Sequence, residues 1–84
     1  MVKIYLFIEL VRTANADDVA AKLKALRFDA CGFANVVVLA EDKIVAQLDC
    51  ETAAKGNAAI LDEIIAVGGV VQTNVIAAVQ PVKR

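Results

Sequence analysis

Histidine, serine and tryptophan are missing altogether from this 84-residue chain, and proline and tyrosine occur once each. Without His or Ser there is no Ser-His-Asp triad, no histidine general base and no imidazole metal ligand. Neither sign of charge has a large excess. Nine basic residues against ten acidic ones give a net charge of −1 and a pI near 5.2. A protein that lives on phosphate contacts is normally basic, so no direct nucleic-acid partner is expected. The two cysteines, Cys31 and Cys50, lack CxxC spacing and are too few for a disulfide scaffold. They read as separate small core residues suited to a reducing cytoplasm. No apolar run approaches the roughly 18 residues of a membrane helix. Ile4 to Ile8 stops at Glu9, and Val70-Val71 meets Gln72-Thr73-Asn74. The start of the chain has no Ala-x-Ala-like cleavage site, so no signal peptide is expected and the predicted location is cytoplasmic.

What is present is apolar: 60% of residues are hydrophobic. A chain this short buries only about 60–65% of its extended surface on folding, so it exposes apolar area unless something covers it. With a membrane span excluded, self-association is the expected cover.

The residues predict six elements in one domain over residues 1–84. A first strand runs from Val2 to Val11, with Val2, Ile4, Leu6, Ile8 and Leu10 on one face and Lys3, Tyr5, Phe7, Glu9 and Val11 on the other. Both faces are apolar at the centre, as in a central strand. Asn15 caps a helix over residues 16–27. Asp17 and Asp18 lie in its first turn, and Val19, Leu23 and Leu26 form its stripe. Residues 28–33 read as a loop anchored by Phe28 and Phe33. Strands at residues 35–40 and 44–50 flank the polar turn Glu41-Asp42-Lys43 as a hairpin. A second helix is capped by Thr52 or begins at Asn57. Its apolar side carries Ile60, Ile64 and Val67, widened by Leu61 and Ile65, and Gly68-Gly69 ends it. A last strand over residues 70–79 precedes Pro81 and the basic tail Lys83-Arg84.

The order β-α-β-β-α-β predicts an α+β, ferredoxin-like fold: a four-stranded antiparallel sheet with both helices on one face. The aliphatic side of the first strand belongs under the helices. Tyr5, Phe7 and Val11, with Val45 and Gln47 of the third strand, then fall on the bare side. On the last strand, either Val70, Gln72, Asn74, Ile76 and Ala78 or Val71, Thr73, Val75 and Ala77 face outward. The first set is preferred because it carries Gln72 and Asn74. The predicted sheet-to-sheet homodimer interface is therefore Tyr5, Phe7, Val11, Val45, Gln47 and Ile76. An RNA-binding sheet would carry matching aromatics on the third strand, and Lys43 to Leu48 has none. An acylphosphatase-like enzyme would need a glycine-rich loop after the first strand, where only Arg12 stands. No enzyme activity, metal or cofactor is expected.

The final third, Ala59 to Ile65 followed by Gly69 to Val79, resembles the end of the RAM domain. This is the small-molecule-binding domain of the leucine-responsive and asparagine-regulatory (Lrp/AsnC) transcription regulators. The resemblance implies a RAM-like module without its own DNA-binding domain. It implies pairing of sheets into dimers or larger rings, co-assembly with full-length regulators, and an amino-acid effector. By the same resemblance, effector binding is expected near the hairpin turn and the last strand, at Glu41, Asp42, Thr73 and Asn74. The outline is also similar to the small chaperone of the periplasmic nitrate reductase, which implies the alternative of a peptide or signal sequence held on an open sheet.

Overall fold

The computed structural model describes residues 2–79, apart from the Leu61 side chain. The expectations about Leu61 and the tail Pro81 and Lys83-Arg84 lie outside the described residues. The elements are β1 (Val2–Leu10), α1 (Ala16–Ala25), β2 (Cys31–Ala40), β3 (Lys43–Cys50), α2 (Ala53–Ala59) and β4 (Val70–Val79), with a π-helical turn over Ile60–Ile64 continuing α2. The strands form one sheet in the order β2-β3-β1-β4, and every neighbouring pair is antiparallel. This small α+β arrangement is compatible with the ferredoxin-like fold.

The aliphatic face of β1 is buried along its whole length, from Val2 to Leu10. Ile44, Ala46, Leu48 and Cys50 of β3 continue that face. Ala16, Val19, Ala20 and Leu23 of α1 close over it together with Ala59, Ile60 and Ile64. Both helices thus cover one side of the sheet. Each large aliphatic side chain so buried contributes about 1.5–3 kcal/mol. No charged or polar residue is fully buried among the described residues, though the Thr73 hydroxyl reaches the edge of this core.

Local signals explain the helix starts. The Asp18 N–H donates to Asn15 Oδ1 at 3.1 Å, with Asp17 and Asp18 in the first turn of α1. Thr52 accepts from the Lys55 N–H at 3.1 Å, so α2 begins at Ala53 rather than at Asn57. Gly56 is needed there for close approach, not for flexibility. A Cβ at this position would overlap Ile4 Cδ1 and lie 3.3 Å from Cys50 Sγ. Beyond α2, the Ile65 N–H reaches back five residues to the Ile60 carbonyl at 3.2 Å, which widens the last turn. Gly69, with φ +98°, turns the chain into β4, and its carbonyl accepts from the Val11 N–H at 2.9 Å.

Three expectations change. β2 starts at Cys31, because residues 31–33 pair with residues 48–50 instead of looping. The ring of Phe33 meets that of Phe28 edge-on, with centroids 5.9 Å apart. The reading of two separate cysteines is corrected as well: Cys31 and Cys50 face each other across β2 and β3 and are joined by a disulfide. Cys50 keeps the core position expected of it, but the inference of a reducing compartment from unpaired thiols no longer stands. Lastly, the preferred outward set for β4 holds at Gln72 and Asn74 but not at Val70, Ile76 or Ala78. Register shifts between the Tyr5 and Leu6 rungs and between Glu9 and Leu10 break the alternation. Gln72, Asn74 and Ala77 share a face with Glu9, Phe7 and Tyr5, whereas Val70, Thr73, Val75 and Ala78 pair with residues of the helix-covered face.

Candidate functional site

The sheet face away from the helices is ordered rung by rung. Val37, Val45, Phe7 and Asn74 form one rung, and Asn35, Gln47, Tyr5 and Ala77 the next. At one end Lys3 stands opposite Asp49, and at the other Glu9 stands opposite Lys43. The centre is therefore mainly apolar and aromatic, and each end carries a cross-strand pair of opposite charges. These are neighbours by register; the ion pair formed among the described residues is Lys43 with Asp42. Amides interrupt the apolar surface: Gln47, opposite Tyr5, donates from Nε2 to Asp49 Oδ1 at 2.8 Å, and on edge strand β4 Gln72 Nε2 donates to Asn74 Oδ1 at 3.0 Å. Tyr5, Phe7, Val45 and Gln47, expected to share a surface, do share it. All four are half-buried by their neighbours, while Val37 is 48% exposed. Val11 lies beyond the end of β1, and Ile76 sits in a register shift with no β1 partner of its own. Both are exposed. Val37 was missed by the sequence reading because its face depends on the β2–β3 register.

A second feature lies at the end of the sheet. The β1–α1 connection and the β2–β3 turn enclose an open cleft of about 600 Å³, lined by Arg12, Asn15, Asp17, Val38, Glu41 and Asp42 among others. Two backbone links hold its walls: the Leu10 N–H donates to the Asp42 carbonyl at 2.8 Å, and the Ala14 N–H to Val11 at 3.0 Å. Asn15 is already engaged as the α1 cap. Asp42 meets Lys43 Nζ at 3.1 Å in an exposed ion pair, the kind worth little in stability. One guanidinium and three carboxylates thus border a single cleft.

The structure does not gather the four expected effector residues. Glu41 and Asp42 line the cleft. Thr73 pairs with Ile8 on the helix-covered face, and Asn74 pairs with Phe7 on the opposite one. Arg12 and Asp17 were not foreseen as neighbours of Glu41, since only the sheet order brings the two loops together. The Thr73 hydroxyl is buried and has no hydrogen-bond partner among the described residues. No group of three or more Cys, Asp or Glu residues is placed to hold a metal ion among the described residues. No helix among them is long and apolar enough to cross a membrane.

Compared with protein-family models, curated proteins and solved structures, the chain matches none.

Proposed function

We propose that this chain is a non-enzymatic assembly and sensing module, similar in kind to the RAM domains of Lrp/AsnC regulators. In this reading it pairs with a second copy through the bare sheet face and responds to a small amino acid. The observation that carries the reading is the pattern of that face. An apolar centre at Tyr5, Phe7, Val37 and Val45 is framed by Lys3–Asp49 and Glu9–Lys43. An apolar core with a polar rim is the anatomy of protein interfaces. Covering ~500 Å² of this face per subunit would contribute on the order of 10 kcal/mol before association costs. Because each charged rung holds both signs, a two-fold partner can meet it without like-charge opposition. Co-assembly with full-length regulators and larger rings are what the RAM resemblance implies; a two-fold pair through this face is closed, so rings need a second surface.

The effector part of the proposal rests on the cleft. Arg12 suits an α-carboxylate, for which the guanidinium fork is well matched, and Asp17, Glu41 and Asp42 suit an α-ammonium group. A zwitterion presents both charges a few ångströms apart. A thermal-shift screen of the amino acids at millimolar concentration tests this. A ligand at 100 times its Kd adds about 2.7 kcal/mol of stability. Arg12→Gln should abolish the shift without changing the oligomer. No stabilisation by any amino acid would end the effector reading.

One observation favours a second reading, a peptide-holding chaperone. Edge strand β4 leaves Val71, Val75, Ile76 and Val79 exposed, and an unpaired edge accepts an added strand. A monomer that binds one extended peptide would support that reading over the first.

A further inference from the structure

The Cys31–Cys50 pair is absorbed neither by the assembly face nor by the cleft, and its two sulfurs are unequal. Cys50 is fully buried. It is seated between β3 and the backbone of α2 at Gly56, beside Ile4. Cys31 is partly exposed at the first position of edge strand β2, and it lines two open clefts of about 240 and 390 Å³. The first cleft carries Arg27, Lys55, Asp62 and Glu63. The second carries Asp49 and Glu51, and Asp29 lines both. Five carboxylates against two cations therefore line the two clefts that Cys31 borders.

We propose that Cys31 is a thiol-exchange site, the sulfur through which the pair is opened and closed, and that its partner is a neutral or cationic low-mass thiol. Exchange needs a thiolate to approach along the S–S axis from the side opposite the leaving sulfur. Approach to Cys50 would run through Gly56 and Ile4, whereas Cys31, partly buried against the edge of the core, borders two open clefts. The incoming thiolate forms a bond to Cys31 Sγ, the Cys31–Cys50 bond breaks, and Cys50 leaves as a thiolate that takes up a proton. A second thiol then attacks the mixed disulfide and releases Cys31 as a thiol. In sum two thiols become one disulfide, and the protein gains two electrons and two protons. In the reverse direction a low-mass disulfide caps Cys31 first, and the Cys50 thiolate resolves it. Cys31 is thus the residue that carries a mixed disulfide, on a strand with only one sheet neighbour. The surrounding carboxylates repel an anionic thiolate and tolerate one that bears an ammonium group.

Two single variants test the site. Cys50→Ala leaves Cys31 as the sole thiol, and Cys31→Ala leaves Cys50. Each is treated under native conditions with cystamine, and adducts are followed by intact mass. Cys31 should be labelled at least 100-fold faster than Cys50, with the difference lost in denaturant. Equal native rates would overturn the proposal. Should either variant not fold, wild-type protein is pulsed with cysteamine, quenched in acid and mapped by peptide mass. A mixed disulfide on Cys31 supports the proposal, and one on Cys50 overturns it. For the charge preference, cystamine is compared with dithiodiglycolate on Cys50→Ala, each rate referred to that on the denatured chain. Cystamine should be favoured several-fold at low salt, with the ratio falling toward one at high salt. No preference at low salt would overturn the assignment of the partner's charge.

Discussion

Replacing Thr73 by valine should make this protein more stable. Thr73 lies opposite Ile8, which is fully buried, on the helix-covered face of β4. Its hydroxyl is out of reach of solvent and has no partner among the described residues. A buried polar group left unpaired costs about 1–3 kcal/mol. Valine keeps the β-branched shape and suits a strand at least as well, so Thr73→Val removes the penalty with little change in packing. The expected gain is about 1 kcal/mol, which for a domain of this size raises Tm by about 4–8 °C. Thermal and urea unfolding measure it, with an unchanged m-value showing that the unfolded state is the same. Thr73→Ala is the control: it removes the hydroxyl but also a methyl group, and should not stabilise. A loss of 1 kcal/mol or more in Thr73→Val would refute the reasoning. It would mean that the hydroxyl is satisfied in solution, by a bound molecule or by a partner subunit. The amino-acid response proposed above should survive this substitution, because Thr73 does not line the cleft.

Other substitutions probe the core and the cross-link. Cys31 and Cys50 are 19 residues apart, and a closed loop of that length implies that reduction costs about 3 kcal/mol. Urea unfolding with and without a reductant should show this loss, and a change below about 0.5 kcal/mol would contradict it. Gly56→Ala should destabilise in spite of alanine's better helix propensity. The new methyl meets Ile4 Cδ1, and overpacking costs about 1–3 kcal/mol against a propensity gain of about 1 kcal/mol. Adding Ile4→Val removes that carbon, so the double variant should be more stable than the sum of the single changes predicts.

How much of this was legible depends on the element. The β1 faces could be read because five aliphatic residues alternate without interruption, and the structure buries all five. The α1 start was legible because its cap and its first-turn charges are adjacent in sequence. The face of β4 was not, since two register shifts break a period on which the reading depends. The start of β2 was missed because Cys31-Gly32-Phe33 has loop composition; its strand pairing comes from the opposite residues of β3. The disulfide was hidden for the same reason, as a register is needed to bring Cys31 opposite Cys50. Glu41 and Asp42 could be seen as a charged turn, but their neighbours Arg12 and Asp17 lie about 30 residues away in sequence and meet them only through the sheet order.

The central claim is that the face bearing Tyr5 and Phe7 is covered by a second copy. Light scattering coupled to size exclusion at micromolar concentration tests it most directly, on the wild type and on Phe7→Lys. The account predicts at least twice the 8.9 kDa chain mass for the wild type. For a folded Phe7→Lys, checked by circular dichroism, it predicts the mass of one chain. A wild-type mass of a single chain, or a Phe7→Lys protein that still pairs, would contradict it.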